Sequence, residues 1–401
     1  SHICHANFVP DWALPVQIGK IVVRGITMKK LLSVLLVLAL MFSVGCTPPP
    51  ATNATAGSEA TQEPTPTETP EQVGESTQTA AGDLSATVQK LYVDFDAAME
   101  TQIGSMPETF GEIKVGAVVI SLTNAFWVNM KDCYEAAGQA MGIPIDVQTG
   151  TTEGDTASQL DVLMTMADMD YDVIIVSPID GTNLIPGIVK CNENGIKVIN
   201  LGPGVDTTAL EEAGGHLDAA ITVNFQDQGR TVANDMISRL PGGGQVAIIA
   251  GLAGAGQSEG RTAGAKEVFE ASEGIDLVAV QNCDWDASLA YDATKALLTE
   301  YPDIKGIFCC NDTMALAVVE ALAAEGKDGV LVYGVDFTND AREAIKEGAM
   351  TGSMSYSSER YTKAALQMAV MLNEGQAIKG RVYLPLTLVT TDNVNDLEGW
   401  K

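Results

Sequence analysis

From Ile113 onward the chain repeats one plan, a short wholly apolar run followed by a stretch with helical periodicity. The runs cover 115–122, 173–176, 198–201, 246–250, 277–280, 307–310 and 331–335. They do not alternate apolar with polar, so they suit strands covered on both faces. Between them, helical stretches are expected at 128–141, 156–169, 229–240, 261–271, 288–298, 313–324 and 361–372. Strand–helix alternation implies an α/β fold with parallel sheets and right-handed crossovers. About a dozen such units exceed what one ordinary sheet holds, so two doubly wound lobes are expected.

In open α/β sheets a ligand binds beyond the carboxyl ends of the strands. The residues just after the apolar runs are therefore the candidates. They are Asn124, Phe126 and Trp127; Ser177 through Asp180; a Gly-rich loop from Gly251 to Arg261; Asp284, Trp285 and Asp286; Asn311 and Asp312; and Asp336. Aromatic rings, neutral amides, one arginine and carboxylates on one face suit a polyol. Ring C–H faces stack on Trp or Phe, and each hydroxyl both donates and accepts.

Charge and composition exclude several other classes. The formal net charge is −29, and Lys20, Arg24, Lys29 and Lys30 all precede Cys46, so the remainder of the chain is more acidic still. Such a surface repels nucleic-acid phosphates and anionic lipid heads. The chain has 3 histidines, His2, His5 and His216, and the first two lie in a segment expected to be missing from the mature protein, so the one left cannot supply a zinc cluster and leaves little for histidine-based acid–base chemistry. The cysteines Cys4, Cys46, Cys133, Cys191, Cys283, Cys309 and Cys310 form no CxxC pair, and adjacent Cys309 and Cys310 are expected as small buried residues. No metal or cofactor is expected.

Two motifs with enzymatic associations fail on their own chemistry. Gly256-Gln257-Ser258-Glu259-Gly260 fits G-x-S-x-G, but no histidine comes after Ser258 to act as base. The same loop resembles a phosphate cradle, yet Gly256 is followed by Gln257 rather than the lysine of a P-loop. The chain is expected not to be an enzyme.

The front end reads as an address. Met28-Lys29-Lys30 precedes an apolar run over 31–44 that ends in Ser43-Val44-Gly45-Cys46. The run is too short to span a bilayer. It resembles a bacterial lipoprotein signal over 28–46, which implies lipidation of Cys46; Ser43 departs from the aliphatic residue usual there. Residues 1–27 are expected to be an extension outside the mature protein. Residues 47–82, rich in Pro, Thr, Glu and Ser, suit a semi-extended tether. Over 83–110, Leu84, Val88, Leu91, Phe95, Met99 and Ile103 recur at helical spacing, so one amphipathic helix is expected to pack on the body.

From about Lys114 to Val389 the chain resembles the type I periplasmic sugar-binding proteins, the ribose/galactose-binding class. The likeness rests on Ser121-Leu122-Thr123-Asn124-Ala125-Phe126-Trp127, Ser177-Pro178-Ile179-Asp180, Gly256 through Arg261, Asn311-Asp312-Thr313-Met314-Ala315-Leu316-Ala317, and Gly334-Val335-Asp336. It implies ligand contacts at Asn124, Phe126, Trp127, Arg261, Trp285, Asn311 and Asp336. Ser177 and Tyr356 stand at contact positions where the ribose-type member has Asn and Gln. Gly202-Pro203 replaces an Asp-Arg pair, which speaks against ribose, and the two tryptophans favour a pyranose or a cyclitol.

The resemblance further implies lobes of 111–223 plus 357–385 and 224–356 plus 386–401, joined by crossings near 223–224, 356–357 and 385–386. Together with the signal at 28–46 it implies a monomeric, lipid-anchored, extracytoplasmic component that hands its ligand to an ABC transporter permease. A sensory receptor feeding a chemoreceptor or kinase is the alternative.

Overall fold

A computed structural model describes residues 84–400. The readings on residues 1–27, on the signal at 28–46 with Cys46, and on the tether at 47–82 lie outside the described residues, as does residue 401.

The first lobe is built on an all-parallel sheet. Its strands are β1 (Val115–Ser121), β2 (Ile145–Gly150), β3 (Val173–Val176), β4 (Lys197–Leu201), β5 (Ala219–Thr222) and β11 (Arg381–Tyr383). They lie in the order β11-β5-β4-β3-β1-β2. The central strands β1 and β3 are buried along their whole length, which is why they read as unbroken apolar runs. Helices α2 (Ala125–Met141), α3 (Thr156–Met166), α4 (Ile185–Glu193), α5 (Thr207–Glu212) and α11 (Ser358–Asn373) accompany it.

The second lobe repeats the scheme. Its strands are β6 (Gly244–Ala250), β7 (Ile275–Asn282), β8 (Gly306–Cys309), β9 (Leu331–Val335), β10 (Gly352–Ser355) and β12 (Thr387–Thr390), in the order β12-β10-β9-β8-β6-β7. Among these described strands only β12 runs antiparallel, against β10. Helices α6 (Phe225–Ser238), α7 (Gly256–Ala271), α8 (Ala287–Glu300), α9 (Asp312–Ala324) and α10 (Asn339–Lys346) surround this sheet. The chain passes from one sheet to the other between β5 and α6, between β10 and α11, and between β11 and β12.

Helices α6 and α7 meet backbone to backbone. A Cβ on Gly229 would stand 2.0 Å from the carbonyl oxygen of Arg261, and one on Gly264 would stand 2.0 Å from that of Gln226. Only glycine permits that approach, and it brings α7 with Arg261 close under the start of α6.

Helix α1 (Ala86–Ile103) is capped by Ser85, whose hydroxyl accepts from Val88 N at 3.1 Å. It buries Val88, Tyr92, Phe95, Met99 and Ile103. Tyr92 takes the fully packed position that the periodicity assigns to Leu91, because its ring stacks at 4.9 Å on Trp400 and its hydroxyl donates to the carbonyl of Gly399. Among the described residues no helix is long and apolar enough to cross a membrane.

Several element boundaries differ from the sequence expectation. Helix α7 begins at Gly256, so the Gly-x-Ser-x-Gly segment forms its first turn and the loop before it is short. Helix α6 starts at Phe225, four residues earlier than its periodicity suggests, because Asn224 caps it by accepting from Asp227 N. Strand β1 stops at Ser121, leaving Leu122 exposed. Cys309 and Cys310 are both fully buried, and burial pushes their thiols up.

Candidate functional site between the two sheets

A cleft opens where the carboxyl ends of the two sheets face each other. From the first lobe come Asn124, Phe126 and Trp127 at the start of α2, Glu153 after β2, Leu201, Gly202 and Pro203 at the end of β4, Val223, and Tyr361 of α11. From the second lobe come Phe225, Gln257 and Arg261, Trp285 after β7, Asn311 after β8, Asp336 after β9, and Tyr356 at the crossing into α11.

Helix starts aim several of these groups. Asn124 caps α2, its Oδ1 accepting from Phe126 N at 3.0 Å. Phe126 and Trp127 then meet edge to face, with ring centroids 4.9 Å apart. Asn311 caps α9 through Oδ1, which accepts from Met314 N at 3.0 Å, and this leaves its buried Nδ2 without a partner. Gln257 likewise has a buried Oε1 without a partner. An unpaired buried donor and an unpaired buried acceptor in one cleft are costly for the empty protein.

The charged centre is a triad. Arg261 donates from Nε to Gln228 at 2.8 Å and from Nη1 to the carbonyl of Cys310 at 2.6 Å. Its Nη2 lies 3.6 Å from Asp336 Oδ1, with both side chains only 5% and 6% exposed. Tyr356 donates its hydroxyl to the same Asp336 oxygen at 2.9 Å. Burial pushes the Asp336 carboxyl up, while Arg261 and the Tyr356 hydrogen bond pull it back. Behind it Asp312 accepts from Ser353 and from Thr338 N; it is fully buried, and burial together with the Asp336 charge pushes it up.

Backbone strain concentrates here. Asp284, Trp285, Asp336, Phe337 and Ser357 are the described non-glycine residues with positive φ, and two of them line the cleft. Such strain is held only where the surroundings over-determine it, and it clusters at ligand sites. Trp285 also lies flat on Gly251, where a Cβ would meet three ring atoms at 2.2–2.3 Å.

Eight of the nine residues singled out from the sequence line this cleft: Asn124, Phe126, Trp127, Arg261, Trp285, Asn311, Asp336 and Tyr356. Ser177 does not. It is buried just after the central strand β3, where its carbonyl accepts from Gln159 Nε2 at 2.8 Å. Glu153, Phe225 and Tyr361 also line the cleft without having been singled out, and Gln257 enters it from the Gly-rich segment. Gly202 faces Tyr361, whose hydroxyl stands 3.6 Å from where a Cβ would be and donates to the carbonyl of Ile221. Among the described residues no group of His, Cys, Asp and Glu could hold a metal ion.

Comparison with known proteins agrees with this geometry. A "D-allose-binding periplasmic protein" of Escherichia coli is 36% identical over 259 residues, covering 64% of this chain and 83% of that protein. A "D-ribose/D-allose-binding protein" of Pseudomonas aeruginosa is 28% identical over 295 residues, covering 71% of this chain and 90% of its own length. A solved ABC transporter periplasmic solute binding protein from Actinobacillus succinogenes, with bound D-allose, superposes with a TM-score of 0.68 at 28% identity, over 71% of this chain and 100% of that one. The family model described as "Periplasmic binding protein domain" matches residues 115–377, which span both sheets. With two doubly wound lobes around one cleft and a match over most of its length, this chain belongs to the periplasmic binding protein family.

Proposed function

We propose that this protein is an extracytoplasmic, non-enzymatic receptor that captures a monosaccharide-like ligand between its lobes and delivers it to an ABC transporter permease. The observation that carries the reading is the pair of unpartnered buried groups, Asn311 Nδ2 and Gln257 Oε1, beside the Asp336–Arg261 pair and among aromatic rings from both lobes. Hydroxyls are donor and acceptor at once and complete such a set, while ring C–H faces cover Trp127 and Trp285. Asn124, Phe126, Trp127, Arg261, Trp285, Asn311, Asp336 and Tyr356 are the proposed contacts. Groups from both lobes reach the ligand together only when the lobes are closed, so binding favours closure.

A pyranose or cyclitol is the preferred ligand. The wall formed by Leu201, Gly202, Pro203 and Tyr361 offers apolar and aromatic surface and no charged clamp. Isothermal titration against D-allose, D-xylose, myo-inositol and D-ribose tests this. At least one of the first three is expected to bind in the micromolar range or tighter and to exceed ribose. No heat from any of them at millimolar concentration overturns the reading.

The receptor is proposed to act as a monomer held to the membrane by a lipid on Cys46. Expressed in a bacterial host, the wild-type chain is expected in the membrane fraction and Cys46→Ala in the soluble fraction. Equal partition of the two contradicts the anchor.

A further inference from the structure

Among the described residues, Glu153 supplies the one carboxyl group that the first lobe brings to the cleft. It stands in the turn after β2, and its Oε1 accepts from the hydroxyl of Ser121 at 2.9 Å. That hydroxyl also lies 2.8 Å from Thr123 Oγ1. Across the cleft stands Asp336, whose negative charge acts on Glu153. The cleft is therefore lined by two carboxyl groups and one guanidinium. No described lysine or histidine lines it.

The guanidinium does not serve Glu153. Arg261 sits on the second lobe, directed to Gln228, to the Cys310 carbonyl and to Asp336. The nearby phenols are committed as well, Tyr356 to Asp336 and Tyr361 to the carbonyl of Ile221, and Asp312 behind Asp336 adds only negative charge. A carboxylate at Glu153 would be partly desolvated with no cation of its own, so the neutral acid is the favoured form.

We propose that Glu153 is a specificity-determining ligand contact that enters the closed complex as a neutral acid, accepting from Ser121 and donating to a hydroxyl oxygen of an uncharged polyol. This rests on the polyol reading above and adds to it the residue that selects uncharged ligands and links binding to a proton. Burial pushes the Glu153 carboxyl up to about 7; the Ser121 hydrogen bond opposes the rise and the Asp336 charge adds to it. Opening the lobes rehydrates the group and returns it to the ordinary carboxylate range. Closure therefore takes up a proton. The resulting affinity is full below the ordinary range and is lost as pH rises through about 7.

Titration calorimetry of the wild type, Glu153→Gln and Glu153→Ala at pH 6 and pH 8, with D-allose, D-xylose and myo-inositol, tests the assignment. Wild-type affinity is expected to fall about tenfold between the two pH values, with proton uptake seen as a dependence of the heat on buffer ionisation. Glu153→Gln keeps a donor and an acceptor at every pH. It is expected to bind several-fold tighter than wild type at pH 8, with the proton uptake gone. Glu153→Ala is expected to bind more weakly at pH 6. Asp336 titrates in wild type and variants alike and is coupled to Glu153, so the difference between them reads the Glu153 carboxyl together with that coupling. A Glu153→Gln profile that parallels the wild type overturns the proposal while leaving the cleft assignment standing. Absence of heat from wild type with every sugar removes both.

Discussion

Asp336→Ala is expected to weaken sugar binding by about tenfold to a hundredfold. Asp336 is the acceptor on which Tyr356 and Arg261 converge, and it faces the cleft. A hydrogen bond to a charged group contributes about 1.5–3 kcal/mol, which is that range in affinity. The substitution also removes the counter-charge of a buried guanidinium. Arg261 keeps its bonds to Gln228 and the Cys310 carbonyl, so the fold is expected to survive with a lowered melting temperature. Titration calorimetry beside a thermal melt separates the two effects. An unchanged dissociation constant in a folded variant would show that Asp336 does not touch ligand.

Gly229→Ala is expected to be strongly disruptive for a single-methyl change in the second lobe. The added Cβ would meet the Arg261 carbonyl oxygen at 2.0 Å and the Ala265 nitrogen at 2.7 Å, both backbone atoms of α7. No rotamer change relieves a clash with backbone, so α6 and α7 must move apart. Overpacking of this kind costs about 1–3 kcal/mol and occasionally more. The melting temperature is expected to fall by several degrees. Because Arg261 is carried on the displaced segment, affinity is expected to fall with it. A variant that melts and binds as wild type does would mean that the two helices have slack between them.

The central strands announced themselves because burial on both faces leaves them no polar positions. The same property located the site, since the residues after β8 and β9 are Asn311 and Asp336, and the topology brings those ends to one place. The edge strand β2 was harder to see. Its sequence IDVQTG is half-exposed, carries no apolar run, and so hid Glu153 behind it. Gln257 was obscured by a glycine-rich segment that looks like a loop. Its helix forms because Gly260 and Gly264 let α7 lie against the start of α6, a tertiary gain that outweighs poor local propensity. Tyr361 reaches the cleft from a helix far along the chain, by way of a crossing that no local pattern marks. Ser177 obeyed the strand-end rule and still does not line the cleft; it is buried, and Gln159 bridges its carbonyl to that of Val119.

Helix α1 has a mechanical consequence. Its Tyr92 is held on one side by Trp400, itself fixed to the second lobe by a hydrogen bond to Ser355, and on the other by the Arg360 guanidinium of the first lobe, 4.3 Å from the ring centroid. Gln102 adds a two-way bond to the backbone of Tyr383, and Ser85 donates to the carbonyl of Asp396. The two halves are thus joined by three covalent strands and by one rod laid across the joint. Any movement of one half against the other must therefore carry this rod along or break its bonds on one side, which makes α1 a tie across the joint as well as a covering for it.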